Sequence, residues 1–127
     1  MRIVQVIPEL NEGGVERGVV ELNREFVKKG IESFVISAGG KLENQINLDG
    51  GNHVKFDVCS KNIFTAFKRV NALKKILKEI KPDIIHVRSR VPAWLVYFAN
   101  KKLNIKVVST VHGFNSVGFY RKKKKKS

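Results

Sequence analysis

The 127-residue sequence is poor in the features that mark secreted and membrane-spanning proteins. It has one cysteine, Cys59, so it cannot form an internal disulfide, and this fits a reducing cytoplasm. No apolar run is long enough to cross a bilayer. The first residues have neither the basic leader nor the small-residue cleavage site of a signal peptide. These features predict a cytoplasmic globular protein.

Several sequence motifs that identify ligand sites are also missing. The sequence has neither the G-x-G-x-x-G fingerprint of dinucleotide-binding folds nor the G-x-x-x-x-G-K pattern of P-loops. It has no G-x-S-x-G serine elbow and no spacing of Cys, His and carboxylate residues that is typical of a metal site. We therefore expect neither a serine nucleophile of that type nor a metal.

Acidic residues are scarce, since 11 Asp and Glu stand against 25 Lys and Arg and give a formal net charge of +14. Lys122 to Lys126 contribute five of these charges, and the rest of the chain keeps +9. A basic protein attracts nucleic acid, an anionic membrane face or phosphorylated ligands, and charge alone does not choose among them.

The opening residues predict a strand, a glycine turn and a helix in that order. An apolar run from Ile3 to Ile7 is followed by Gly13-Gly14, and a helical pattern begins at Val15. Glycines let backbone N–H groups approach a ligand closely, and a helix N-terminus adds a partial positive charge. This order of elements can therefore build an anion site. A tight strand-to-helix turn that binds no ligand is the alternative.

Apolar strands alternate with amphipathic helices along the rest of the chain. The patterns predict strands at about 2–7, 32–37, 53–58, 83–88 and 105–111, and helices at about 15–29, 41–48, 62–81 and 92–103. This alternation predicts an α/β fold: a Rossmann-like parallel sheet of about five strands, with helices on both faces and strand order 3-2-1-4-5. Four phenylalanines fall at core spacing, unlike the exposed aromatic residues of nucleic-acid binders: Phe26, Phe34, Phe67 and Phe98.

Three clusters of glycines and basic residues follow the predicted carboxyl ends of neighbouring strands. They are Gly13-Gly14 after the first strand, His86, Arg88 and Arg90 around the end of the fourth, and His112-Gly113 after the fifth. Parallel α/β sheets bind ligands at this edge, beside the point where the strand order reverses. The clusters therefore predict one site for a phosphorylated or otherwise anionic ligand, with two imidazoles available for proton transfer.

Each of these side chains also has a purely structural interpretation. His86 on a buried strand could be a hydrogen-bonded core residue, and Arg88, on the same sheet face, could pair with a carboxylate. Arg90 could be a solvated loop charge. His112 is the best functional candidate because it ends a strand and precedes a flexible glycine.

Three blocks of the sequence resemble family 4 glycosyltransferases. The blocks are residues 3–18, which end in Gly13-Gly14-Val15-Glu16-Arg17-Gly18, residues 81–94, which contain His86-Val87-Arg88-Ser89-Arg90, and residues 109–115, which contain Thr110-Val111-His112-Gly113. The second block is similar to members that build lipopolysaccharide and cell-surface glycans. The resemblance implies the N-terminal domain of a GT-B fold, whose two Rossmann-like domains hold a nucleotide-activated sugar and its acceptor.

The resemblance also implies roles for the glycines and for the last histidine. Gly13 and Gly14 match the loop that approaches the donor diphosphate and the acceptor, and Gly113 belongs to the same binding set. His112 matches a histidine that lies near the transferred sugar, which makes it the candidate catalytic residue.

The fourth-strand segment and the ligands follow from the same resemblance. His86, Arg88 and Arg90 match residues that line the acceptor side of the cleft. The implied partners are a nucleotide sugar and a glycan or lipid-linked acceptor. No cofactor is implied, because the helix dipole and basic side chains offset the charge of the leaving diphosphate.

The sequence departs from the family pattern after the fifth predicted strand. We expect residues 1–119 to form an incomplete N-terminal glycosyltransferase domain and residues 120–127 to form a basic, lysine-rich tail. We expect no counterpart of the family's nucleotide-holding second domain and therefore an inactive chain. A frame slip in adenine-rich lysine codons would explain the lysine run, and a natural basic tail is the alternative.

A non-enzymatic basic binding module for nucleic acid or anionic membrane is the rival interpretation. Its contacts would come from the terminal lysines and from Lys74, Lys75, Lys78 and Lys81. For the glycosyltransferase we expect a cytoplasmic location, weak peripheral contact with the anionic face of the inner membrane and no specific nucleic acid.

Overall fold

Five strands alternate with four helices in the part of the chain that the computed structural model describes, which is residues 1–10, 13–57, 66–88 and 90–109. The strands are β1 (Arg2–Val6), β2 (Glu32–Ser37), β3 (Asn52–Lys55), β4 (Ile84–Val87) and β5 (Lys106–Ser109). The helices are α1 (Gly14–Lys28), α2 (Glu43–Leu48), α3 (Ala66–Ile80) and α4 (Arg90–Ala99). The predicted elements are all present, and β2 has the predicted bounds. Residues 58–65 and 110–127, which include Cys59 and the basic tail, lie outside the described residues.

The strands form one parallel sheet in the order β3-β2-β1-β4-β5, which confirms the predicted order. β1 lies at the centre, where Val4 pairs with Phe34 of β2 on one side and with Ile85 of β4 on the other. The order reverses at β1 and β4, so the carboxyl ends of these two strands border the crevice in which such sheets bind ligands.

Residues of β1 alternate between two hydrophobic layers. Val4 and Val6 pack with Leu73 and Leu77 of α3 and with Leu95 of α4 on one face of the sheet. A second cluster covers the other face beneath α1 and α2, and it comprises Ile7, Leu10, Val19, Val20, Val35 and Ile46. Each fully buried aliphatic side chain contributes about 1.5–3 kcal/mol relative to an exposed one. Both layers are therefore needed to hold the central strand that carries the site.

Local sequence explains where two of the helices end. Gly30, after α1, adopts a φ of +78° and donates its N–H to Val27 O, while Ile31 donates to Phe26 O. These bonds are those of a glycine-terminated Schellman motif, so Gly30 ends α1. α4 was predicted to run to about 103 but ends at Ala99, because the Asn100 side chain bonds both the N–H and the C=O of Ile105 and turns the chain into β5.

The prediction that all four phenylalanines lie in the core is wrong for Phe67 and Phe98. Phe67 is 83% exposed and Phe98 is 41% exposed. At about 100° per residue, Phe67 points about 120° away from Leu73, which lies on the buried stripe of α3. Phe67 lies three residues before Val70, which fits the helical spacing of apolar residues, but its side chain points away from the centre of the buried stripe of α3.

Candidate functional site

The turn between β1 and α1 is bonded to the end of β2 and the loop that follows it. Ile7 donates its N–H to Ile36 O, and Leu10 donates to Gly39 O, each at 3.0 Å. Residues 11–12 lie outside the described residues, and α1 begins at Gly14 after an N-cap at Gly13. The glycine turn is thus held at the carboxyl edge of the sheet, as predicted.

The two glycines of this turn do different things. Gly13 has an extended backbone with φ of −167°, which any residue can adopt, but a side chain there would collide with the Glu16 carboxylate. Glu16 lies in the first turn of α1, where a carboxylate complements the helix dipole. Gly14 is exposed, and a side chain on it would project into open space. Gly14 is therefore the position where this helix end offers bare backbone to a ligand.

Arg88 follows β4 and lies against α1. Its backbone N–H donates to Val6 O at 3.1 Å, and its side-chain Nε donates to Gln5 Oε1 at 3.3 Å. Gln5 in turn donates from Nε2 to Val19 O of α1 at 3.1 Å. Arg88 is only 9% exposed, and Gln5 is fully buried. The two side chains connect the central strands of the sheet to the helix that begins at the glycine turn.

The electrostatics of Arg88 favour an anion nearby. Burial lowers the pKa of the guanidinium below its ordinary, very high value, and the group stays charged at neutral pH. No carboxylate forms an ion pair with Arg88 among the described residues. The predicted alternative, a structural pair with a carboxylate, is therefore absent from that part of the chain. A buried cation is costly unless an anion neutralises it, so the site suits a negatively charged ligand.

The guanidinium lies close to Gly18 of α1. A Cβ on Gly18 would lie 3.4 Å from Arg88 Nη1, an ordinary van der Waals contact, so this terminal nitrogen lies beside the bare helix surface at Gly18. Gly14 is four residues earlier, which places it one turn closer to the helix N-terminus on the same face. Gly14, Gly18 and Arg88 therefore form a strip of bare helix backbone with a buried cation beside it, and we call it the anion strip.

Of the other predicted site residues, the structure describes two and does not describe the other two. His86 is a half-buried residue of β4, paired in register with Gln5 and therefore on the same sheet face as Arg88. Arg90 is the first residue of α4 rather than a loop residue. His112 and Gly113 lie outside the described residues. The structure thus brings Gly13, Gly14, His86 and Arg88 to one edge of the sheet, and their roles remain predictions.

Comparison with known proteins identifies the family. The sequence profile of Glycosyltransferase Family 4 matches residues 12–127. The chain belongs to this family. The family 4 chain is 35% identical over 88 residues to a Campylobacter jejuni enzyme, GalNAc-alpha-(1->4)-GalNAc-alpha-(1->3)-diNAcBac-PP-undecaprenol alpha-1,4-N-acetyl-D-galactosaminyltransferase, a match that covers 66% of this chain and 24% of that enzyme.

A second relative and two solved structures agree with this assignment. The family 4 chain is 33% identical over 92 residues to the Lactococcus lactis UDP-N-acetylglucosamine--N-acetylmuramyl-(pentapeptide) pyrophosphoryl-undecaprenol N-acetylglucosamine transferase, covering 70% of this chain and 24% of that enzyme. A Rickettsia africae glycosyltransferase superimposes with a TM-score of 0.78 and 36% identity over 94% of this chain and 32% of that one. Acinetobacter baumannii MurG, at 13% identity, shares the fold with a TM-score of 0.69 over 94% of this chain and 38% of that one.

These comparisons confirm the predicted family and fold class, a Rossmann-like α/β sheet of the GT-B glycosyltransferase type. The family 4 chain spans only about a quarter of the length of the two curated relatives described above.

Gln5, like Gly18, is a site residue that the sequence analysis missed. It interrupts the apolar run of the first strand, and only its hydrogen bonds to Arg88 and Val19 reveal its role. A single amide in an otherwise apolar buried strand was the available signal, because a buried polar side chain needs partners.

Other features of the family 4 chain lie away from this edge. A cavity of about 330 Å³ is found at the amino ends of β4 and β5, lined by Leu77, Lys78, Lys81, Pro82, Leu103 and Ile105. Within the described ranges, no three His, Cys, Asp or Glu residues are grouped closely enough to hold a metal ion. The helices of that part of the chain are also too short or too polar to span a membrane.

Proposed function

We propose that this chain is the acceptor-side half of a glycosyltransferase that moves a sugar from a nucleotide-sugar donor to a glycan or lipid-linked acceptor of the cell envelope. Its family supports the reaction class. The names of the Campylobacter and Lactococcus relatives support the acceptor class, since both contain undecaprenol joined through a diphosphate. An undecaprenol-linked acceptor would place the enzyme at the cytoplasmic face of a membrane.

The observation that carries this proposal is the anion strip. A diphosphate laid along Gly14 and Gly18 would receive hydrogen bonds from the terminal nitrogens of Arg88, while the α1 dipole would add favourable electrostatic energy. In this arrangement the positive groups that offset the diphosphate charge come from the protein itself. We therefore propose that transfer requires no metal and no cofactor besides the nucleotide sugar.

We assign the remaining predicted residues to the same cleft. His112 is proposed to act on the acceptor hydroxyl or the transferred sugar, by its position after the fifth strand and by the family resemblance. His86, Arg90 and Gly113 are proposed to line the acceptor side. The rival binding module has support only as a membrane contact, from an exposed phenylalanine among lysines on α3, and such a contact is compatible with the transferase.

Binding of pyrophosphate tests the anion strip. Titration calorimetry on the 127-residue chain would use inorganic pyrophosphate and a short-chain polyprenyl diphosphate as ligands. We expect Arg88→Gln to weaken both by about tenfold or more, the scale of one charge-assisted hydrogen bond. Arg24→Gln is the matched control, because Arg24 lies on α1, the helix that Arg88 lies against, but bonds Asp49 at the surface. Equal affinities for wild type and Arg88→Gln would contradict the proposal.

A further inference from the structure

A serine, a histidine and a glutamate are joined at the carboxyl edge of β2 and β3, outside the anion strip. Ser37 Oγ lies 2.6 Å from His53 Nε2, and His53 Nδ1 lies 3.4 Å from Glu43 Oε1. Ser37 is fully buried, and the His53 side chain is only 3% exposed. Such a group resembles a catalytic triad in order, but a fully buried hydroxyl cannot reach a substrate. Its role must therefore lie within the protein.

The hydrogen-bond pattern assigns the protons of this group. A carboxylate only accepts hydrogen bonds, so the proton on the imidazole belongs on Nδ1, toward Glu43, and Nε2 then accepts from the Ser37 hydroxyl. Ser37 Oγ also accepts the N–H of Gly39 at 3.1 Å. When His53 is neutral, the Ser37 hydroxyl donates to Nε2 and accepts the Gly39 N–H, while Nδ1 faces the Glu43 carboxylate; we call this group the serine relay.

The serine relay is connected to both loops that border the glycine turn. Gly39, whose N–H it binds, accepts the N–H of Leu10 at 3.0 Å through its own carbonyl oxygen. Leu10 O in turn accepts the N–H of Leu42 at 2.7 Å, and Pro8 O accepts the N–H of Ala38 at 2.9 Å. The last described residues before Gly13 are therefore positioned by the loop that Ser37 and His53 hold.

Glycine is required where the relay meets this loop. Gly39 has a φ of +106°, and a side chain there would come within 3.2 Å of Glu43 Oε2 and 3.4 Å of Lys55 Cε. The Glu43 side chain therefore packs over Gly39 while its other oxygen faces His53. One carboxylate therefore lies against both the loop and the imidazole.

We propose that His53, Ser37 and Glu43 form a positioning relay that holds residues 8–10 and 38–42 in place, and that protonation of His53 releases them. A second proton on the imidazole makes Nε2 a donor, so the Ser37 hydroxyl loses its acceptor in a fully buried site. The effect of this relay on ligand affinity rests on the proposed function of the anion strip, whereas its hold on the two loops does not.

The groups facing His53 come from three elements and support this behaviour. Glu43 and Asn47 face it from α2, where Asn47 Oδ1 accepts the His53 backbone N–H, and Ser37 faces it from β2. Lys55 lies on its own strand. Burial lowers the pKa of His53, Glu43 acts to raise it and Lys55 acts to lower it, with burial the largest effect. The neutral form is therefore the resting state at neutral pH.

Amide hydrogen exchange on the 127-residue chain, followed by NMR, tests the relay. We expect Ser37→Ala to speed exchange at Gly39 and Leu10 by about tenfold relative to the amides of β4, the scale of one lost hydrogen bond. Ser33→Ala is the matched control, since Ser33 lies on the same strand and face, is 1% exposed and has no partner for its hydroxyl within the described residues. Equal effects of the two substitutions, or none from Ser37→Ala, would overturn the relay.

A pH titration is the second test of the relay. Exchange at Gly39 and Leu10, corrected for its intrinsic pH dependence, should rise in step with the protonation of the His53 ring, and Glu43→Gln should move that midpoint to lower pH. The proposal would be contradicted if the exchange rate did not follow protonation of the His53 ring, or if Glu43→Gln left the midpoint unchanged. Pyrophosphate affinity separates the two proposals: if Arg88→Gln weakens binding and Ser37→Ala does not, the relay has no effect on the ligand, yet the proposed function stands.

Discussion

At the scale of single residues, Gln5, Arg88 and His53 are polar side chains buried on the α1 face of the sheet, and burial affects them differently. Gln5 is neutral and has both of its polar atoms bonded, to Arg88 and to Val19. Arg88 keeps its charge despite burial, because a guanidinium starts from so high a pKa. The ordinary pKa of a histidine lies near neutral pH, so the lowering of the pKa by burial is enough to keep His53 uncharged.

The pH dependence of stability follows from His53. Burial lowers its pKa below the ordinary 6.5, so at pH values below 6.5 the unfolded chain binds a proton that the folded chain resists. The contribution of His53 to stability is therefore complete above pH 6.5 and is lost as the pH falls. Urea unfolding at pH 7.5 and pH 5.5 should show a smaller decrease in His53→Gln than in wild type. Identical decreases would exclude His53 as the titrating group.

At the scale of elements, α3 carries exposed residues that suit a membrane surface better than those of the other described helices. Phe67 is 83% exposed, and Lys68, Lys75 and Lys78 are exposed within about 100° of it around the helix. Lysines near an anionic surface contribute about 1 kcal/mol each, an upper figure that salt reduces, and an exposed aromatic ring adds insertion at the interface.

Vesicle co-sedimentation tests this surface of α3. We expect the chain to bind anionic vesicles at low salt more strongly than neutral ones, and Phe67→Ser and the double change Lys75→Gln with Lys78→Gln to weaken that binding. Lys28→Gln with Lys29→Gln removes the same charge at the end of α1 and should have little effect. Equal losses from the two lysine pairs would mean that only net charge matters.

The sequence predicted elements more reliably than it predicted side-chain environments. Apolar runs and helical spacing located the strands and helices and gave the strand order, because parallel strands buried on both faces have a distinctive composition. Phe67 was misplaced because spacing alone does not fix the centre of a buried stripe. The relay and the Gln5–Arg88 contact could not be predicted, since each joins residues far apart in sequence through hydrogen bonds that only the register of the strands determines.

At the scale of the whole molecule, the proposed function makes residues 1–127 one side of a cleft. Holding two reactants in alignment can lower a barrier by about 7–11 kcal/mol, and one half of a cleft loses most of that contribution. We therefore expect the purified 127-residue chain to transfer no sugar from UDP-N-acetylglucosamine or UDP-N-acetylgalactosamine to a polyprenyl-diphosphate-linked acceptor, measured by release of UDP. Turnover above the rate without protein would disprove this expectation.

The central place of β1 has a consequence for the chain as it leaves the ribosome. Among the described strands β1 is synthesised before the others and can pair with β2 early, but its other edge pairs with β4, so Val4 meets Ile85 only after two further helices and a strand have been synthesised. The bond from the Arg2 backbone N–H to Asp83 spans 81 residues and closes the same interval. Throughout that interval the nascent chain carries an apolar strand with one open edge, which is the state most exposed to pairing with a neighbouring chain. We therefore expect slower translation between residues 38 and 87 to lengthen the time that the nascent chain spends in that state.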